Sequence, residues 1–431
     1  MKNARKIGLL ALIAATYSMV AGGPFGLEEI VAGNGYRGAI LILCITSILW
    51  ALPTALMVSE LASALPETGG MYVWVRRGLG PFWGFQESWL TFMGSIFDMA
   101  IYPILFSSYL AHLVPALGRG STPFLIGVLM IAVCVVMNLL GTNFVGQGTI
   151  LFVLLLLAPF GFLVWYGFST PHIAVAQPAL TRTDLFGGVL IAMWNYMGWD
   201  NASTIAGDVR QAPRAYSRAM FIALAVVVLT YVLPILAVAH AGLPVQDWEN
   251  GSWVTIAGRL GGDRLALCMT AAGVVAALST FNALVLSLTR LPYAMARDGF
   301  LPRAFTRENG RGAPWIAILV CAVLWALTTG LGFEKTVMLD VLLTGLSILL
   351  EFAALIALRV REPELPRPFR IRGGWAALVV LVTPPTVLIA ISCVRNHAER
   401  IGPLNALALG LVLVLLGVPF YFLGAGRRTA V

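Results

Sequence analysis

"GGPFGLEE", residues 22–29, lies inside the first long apolar stretch of the chain, where an uninterrupted helix is expected. Gly22 and Gly23 weaken a helix through their conformational freedom, and Pro24 does so through its missing N–H. Glu28 and Glu29 then put two carboxyl groups beside the break. Irregular backbone at membrane depth is tolerated only where it lines a cavity or is buried in protein. The stretch therefore marks a site as well as a helix end.

Its surroundings are those of a membrane protein. Of 431 residues, 59% are hydrophobic and 11% are charged, a balance no soluble domain shows. Apolar stretches near or above the roughly 20 residues that cross a bilayer recur along the whole length. Twelve spans are expected, at 7–32, 37–64, 82–114, 123–140, 146–169, 186–207, 216–241, 264–292, 314–331, 335–358, 374–394 and 402–423. The reading is an all-α membrane protein forming one transmembrane domain over residues 1–431.

Lys and Arg set the orientation. With the N-terminus inside, the inner segments hold Lys2, Arg5, Lys6, Arg76, Arg77 and Arg210, and further on Arg303, Arg307, Arg359, Arg361, Arg367, Arg370 and Arg372. The outer segments hold far fewer. This bias puts both termini in the cytoplasm, in a bacterial inner or plasma membrane. It also accounts for the net charge of +8 without a nucleic-acid partner. The start, MKNARK followed by IGLLALIAA, has the basic and apolar parts of a secretory signal. The apolar run continues through Ile30 and Val31, however, so the segment is read as a retained span.

Cys44, Cys134, Cys268, Cys321 and Cys393 are single and widely separated. His112, His172, His240 and His397 are equally scattered, and neither an HExxH nor a GxxxxGK[ST] sequence occurs. No metal, cofactor, enzymatic activity or ATP-driven pumping is expected. A channel would need a continuous polar pore, and a receptor would need a signalling domain. The polar residues here cluster at mid-depth instead.

A second interruption decides for transport. "MWNYMGWDNASTIAGDV", residues 193–209, crowds Asn195, Gly198, Asp200 and Asn201 into the middle of the sixth span. Broken first and sixth spans, five helices apart, are the pattern of two inverted five-helix repeats with substrate held between them. The repeats fall at about 7–169 and 186–358, with two further helices at about 374–423.

Over essentially its whole length the sequence resembles the amino acid–polyamine–organocation transporter superfamily, and within it the polyamine-uptake branch. The resemblance rests on GGPFGLEEIVAGNG, SELASALPETGGMYVWV, GPFWGFQESWL with DMAIYPILF, and WNYMGWDNASTIAGDV. It implies a LeuT-like fold and alternating access to a pocket at the two breaks. It further implies proton-coupled uptake of an organic cation or an amino acid. In amino acid transporters of the family, amides at the first break and the positive end of the following half-helix hold a carboxylate. Here Pro24 has no N–H to donate, and Glu28 and Glu29 would partly neutralise that helix end, so a cation fits better.

The expected substrate-binding residues are Gly22, Gly23, Glu28, Glu29, Asp98, Tyr102, Trp194, Asp200 and Asn201. Asp98 and Tyr102 are four apart on one helical face, so Asp98 could pair with an ammonium while Tyr102 packs on methylenes. Trp194 and Asp200 match the family's tryptophan and acidic residue, the first for cation–π contact and the second for an amine or a coupling proton. Three separated carboxylates suit a linear di- or polyamine such as putrescine or spermidine. Glu28 and Glu29 could instead be ordinary first-turn acids. Trp199 and Tyr196 are read as gate residues or as packing.

The fifth span lacks the lysine that some proton-coupled relatives carry, which leaves Asp200, Asp98 or a Glu to hold the proton. Asp340 and Glu351, eleven apart on one face of the tenth span, could take part in proton movement or pair with Arg359 or Arg290. Glu60, Glu67 and Glu87 are expected in ion pairs near Arg76 and Arg77. The alternative reading is an amino acid permease or exchanger for cationic or neutral amino acids.

Overall fold

In lipid, backbone polar groups must be satisfied within the protein, and helices do this residue by residue. The structure, a computed structural model, describes residues 9–67, 70–140, 149–171, 183–201, 212–395 and 399–428. Parts of the first, fifth and sixth expected spans, residues 202–207 among them, lie outside the described residues.

α1 (Leu9–Val20) stops before the first glycine pair, and α2 (Glu28–Thr46) starts at the acidic pair. α2 turns at Gly35, whose φ of 66° a side chain would strain, and this kink stands where a loop was expected between the first two spans. A π-helical turn (Ser47–Ala51) leads into α3 (Leu52–Ala64). There follow α4 (Gly70–Leu79), α5 (Pro81–Leu113), α6 (Thr122–Leu139), α7 (Thr149–Ser169) and α8 (Leu185–Asn195).

The second half holds α9 (Ala212–His240), α10 (Trp253–Leu288), α11 (Arg290–Arg297), α12 (Trp315–Thr329), α13 (Phe333–Arg361) and α14 (Gly374–Arg395). A two-stranded hairpin of β1 (Arg400–Ile401) and β2 (Leu404–Asn405) precedes α15 (Ala406–Arg428). α10 bends at Gly262 (φ 73°), so a short helix over 253–261 is fused to the expected eighth span.

Among the described residues, eight helices are long and apolar enough to cross a membrane, and α8 and α12 are shorter apolar helices. The chain is a multi-pass membrane protein. α13 packs most extensively on α5, while α10 lies against both α5 and α7, α2 against α8, and α1 and α3 against α9. The outer sides of α6, α7, α14 and α15 expose Leu, Val and Phe, as lipid-facing surfaces do.

α4 and α11 are short and amphipathic, and they mark one basic face of the bundle. The Tyr72 hydroxyl donates to Asp298 at 3.4 Å, and Arg361 donates to the Gly78 carbonyl at 2.7 Å. The ion pairs at this face differ from those expected. Arg77 pairs with Glu362 at 2.7 Å, and this guanidinium holds the Glu362 carboxyl below its ordinary pKa. Glu60 pairs with Arg359, takes the Ile371 N–H at 2.8 Å and lies 3.5 Å from Arg367. Glu87 is held by hydroxyls instead of Arg76 or Arg77.

Glu60 is fully buried and Arg359 is 9% exposed, and removing one member of such a pair costs about 3–5 kcal/mol. Glu60→Gln is expected to lower the Tm of the purified protein by several degrees, read by a thermal melt in detergent. An unchanged melt would show that the pair contributes nothing to stability.

Candidate substrate site

Both interruptions follow from residues that cannot hold a helix. At the first, Gly23 (φ 101°) and Gly26 (φ 82°) flank Pro24, and the helix resumes with Ile30 N–H donating to the Leu27 carbonyl at 3.0 Å. The freed Pro24 carbonyl accepts from Trp253 Nε1 at 2.8 Å. At the second, Gly198 takes φ 92°. The Asn195 carbonyl accepts from the Tyr231 hydroxyl at 2.8 Å, and the Tyr196 carbonyl from Trp199 Nε1 at 2.9 Å. Side chains thus replace the helical bonds that each break removes.

The breaks abut. A methyl group built on Gly198 would lie 2.5 Å from the Met19 carbonyl oxygen at the end of α1, and one on Gly26 would lie 3.0 Å from the Trp194 ring. Between them opens a cavity of ≈ 110 Å³. Gly22, Gly23 and Phe25 line it from the first break, and Asn195, Gly198, Asp200 and Asn201 from the second. Asp98, Tyr102 and Tyr109 reach it from α5, Thr280 from α10, and Asp340 and Thr344 from α13.

Three aspartates line this cavity, and no Lys, Arg or His does so among the described residues. Asp98 accepts from Trp194 Nε1 at 3.0 Å, with the Tyr102 hydroxyl at 3.5 Å. Trp194 is held edge-on against Phe333 at 5.8 Å, so Asp98 sits in a collar of aromatic rings. Asp340 accepts from Thr344 at 2.8 Å. A glycine brings it there: a methyl on Gly94 of α5 would lie 2.3 Å from the Thr344 hydroxyl and 3.2 Å from Asp340. Gly94 is one turn before Asp98, so this contact places the two acids on facing helices at one level. Asp200 is 4% exposed, and its Oδ1 has no partner among the described residues.

The sequence profile of the amino acid permease family matches residues 7–427. The chain belongs to that family. The polyamine transporter PUT1 of Oryza sativa subsp. japonica is 34% identical over 420 residues, covering 95% of this chain and 78% of that one. The polyamine transporter RMV1 of Arabidopsis thaliana is 32% identical over 417 residues, covering 95% and 84%. An arginine/agmatine antiporter of Chlamydia caviae is more distant, 24% identical over 456 residues and covering 99% and 91%. The family and these relatives are transporters, not enzymes.

In this permease the remaining expected residues, Glu28, Glu29, Tyr196 and Trp199, do not line the cavity. Glu28 stands behind Tyr109: it is fully buried and accepts from the Tyr109 hydroxyl and from the Gly251 amide. Glu29 turns to Asn250, which donates to it at 2.6 Å. The first turn of α2 faces the segment entering α10, so both acids are drawn toward that segment. Tyr196 and Trp199 are fully buried and brace the second break, with Tyr196 5.3 Å from the Tyr231 ring. The third acid of the cavity is Asp340, which the sequence offers for proton movement or for a pair with Arg359 or Arg290.

Trp194→Phe keeps a ring over the site but removes the N–H given to Asp98. A hydrogen bond to a charged group contributes about 1.5–3 kcal/mol, so the half-saturating amine concentration is expected to rise tenfold or more. Uptake kinetics measure this, and an unchanged value would mean that the bond does not position Asp98.

Proposed function

We propose that the protein is a secondary active transporter that takes up polyamines, putrescine- or spermidine-like organic cations, by proton-coupled alternating access. The observation that carries this is the cavity itself: three carboxylates around one space, with aromatic rings and no described base. A linear cation can be met at each amine by an acid and along its methylenes by Tyr102, Trp194 and Phe25. Gly22, Gly23 and Asn201 supply backbone and amide groups at its edge. The two plant relatives named as polyamine transporters support the substrate class.

The proposed architecture is twelve spans in a LeuT-like arrangement, with repeats at about 7–169 and 186–358 and two additional helices at about 374–423. The packing supports it. Exchanging the repeats maps the α5–α13 contact onto α10–α7, and the α1–α9 contact onto α8–α2; all four contacts are present. The face bearing α4 and α11 is proposed to lie in the cytoplasm of a plasma or bacterial inner membrane, with both termini.

The test is uptake of radiolabelled putrescine and spermidine into proteoliposomes of purified protein, with and without an inward proton gradient. Arginine, lysine and neutral amino acids serve as competitors. Gradient-stimulated uptake blocked by polyamines alone is expected. Amino acid uptake without polyamine uptake would favour the second reading, an amino acid permease or exchanger, which the arginine/agmatine antiporter among the relatives brings into view.

A further inference from the structure

Co-transport of a proton with an amine sets a chemical requirement. One carboxylate cannot hold both at once, so an acid that pairs with the amine exchanges it for a proton, and symport needs an acid elsewhere. Asp98 and Asp340 face the cavity and are placed for the amine.

Glu351 meets the requirement. It lies eleven residues beyond Asp340 on α13, is fully buried, and neither carboxylate oxygen has a hydrogen-bond partner among the described residues. An unpaired carboxylate in such surroundings is costly, whereas the protonated acid is neutral. Of the two arginines offered as its partner, Arg359 and Arg290, the first is committed to Glu60. Glu351 is not among the residues that line the cavity, so it stands outside the space open to an amine.

Its neighbours connect it to the cavity. Glu87 of α5 reaches α13 through Ser347, one turn before Glu351. Glu87 is fully buried and accepts from Thr91 at 2.9 Å, from Ser88 at 3.2 Å and from Ser347 at 3.3 Å. Thr91 itself lines the cavity and lies 3.0 Å from Ser347, one turn before Glu351 on α13. Glu87 is thus a donor-rich carboxylate with a hydroxyl link to the cavity, beside an acid that has no donors.

Glu60 of α3 is paired with Arg359, and Arg77 of α4 with Glu362. Arg76 of α4 lies over the Tyr72 ring. α8 and α12 carry no charged residue, α14 carries only Arg395 at its end, and α15 only Arg427 and Arg428 at its end.

Resting on the proton-coupled reading above, we propose that Glu351 is the proton-carrying residue, an acid outside the amine site that exchanges its proton with the cavity through Glu87, Thr91 and Ser347. One proton leaves the Glu351 carboxyl on the releasing side of the membrane, and one returns to it from the other side in each cycle.

Two measurements on the full-length protein test this. In infrared spectra of the protein in lipid at neutral pH, the carbonyl band of buried protonated acids is expected to lose one component in Glu351→Gln relative to the wild type and to regain it in Glu351→Asp. In proteoliposomes, Glu351→Gln is expected to retain putrescine counterflow while losing the acceleration by an inward proton gradient. Glu351→Asp is expected to recover it.

An infrared band in Glu351→Gln equal to that of the wild type, or gradient acceleration equal to wild type, would overturn the proposal. If Glu351→Gln lost counterflow as well, the band and the Glu351→Asp variant would decide. A wild type that transports arginine instead of putrescine would overturn the polyamine reading alone, since the infrared arm needs no substrate and the gradient arm is repeated with arginine. Wild-type uptake indifferent to the gradient would sink the coupled reading and this proposal together.

Discussion

Asp98→Asn is expected to reduce putrescine uptake at low substrate concentration by roughly thirty-fold or more, with the protein still folded. Asparagine has nearly the same shape, and its carbonyl oxygen can still accept from Trp194 Nε1 and the Tyr102 hydroxyl, which hold Asp98 at 3.0 and 3.5 Å. Only the charge is lost. Removing one member of a desolvated charge pair costs about 2–5 kcal/mol, roughly thirty-fold to several thousand-fold in affinity. The loss is read as a raised half-saturating concentration in proteoliposomes, with elution profile and Tm as checks on folding. Uptake equal to wild type in both Asp98→Asn and Asp200→Asn would remove the anionic-pocket argument, because two of the three lining acids would then be dispensable.

The second large effect is expected at Gly198. Its φ of 92° strains any other residue, and the first atom of a side chain would lie 2.5 Å from the Met19 carbonyl, a backbone atom that cannot rotate away. The left-handed conformation costs about 1–2 kcal/mol, and overpacking adds typically 1–3 kcal/mol. Gly198→Val is expected to prise the two breaks apart, abolishing uptake and lowering the Tm. Gly80→Val is the control, because that glycine also has positive φ (102°) but faces open space. If both variants lose uptake and stability equally, backbone strain alone is responsible and the contact between the breaks has no special role.

The outline of the fold was legible because its signals are local. Glycine and proline inside apolar stretches announced both breaks, and the spacing of Asp98 and Tyr102 announced a shared helical face. What escaped depends on partners far along the chain. Asp340 enters the cavity because Gly94, some 250 residues earlier, lets α13 settle on α5. Glu28 turns to the Gly251 amide, 223 residues away, and Glu60 selects Arg359, 299 residues away, over the nearer Arg76 and Arg77. The helices α4 and α11 were passed over because a search for apolar length does not find short amphipathic segments.

The closeness at Gly94 has a bearing on selectivity. With α5 and α13 seated so tightly, the proposed transport cycle would carry Asp98 and Asp340 as one stiff piece while the two breaks move. The separation of these acids would then work as a fixed gauge for the distance between amines, unaltered as the doors on either side open and close. Ranked preference among diamines of different length is expected to be the same whether measured on right-side-out or inside-out vesicles, even where the absolute affinities differ.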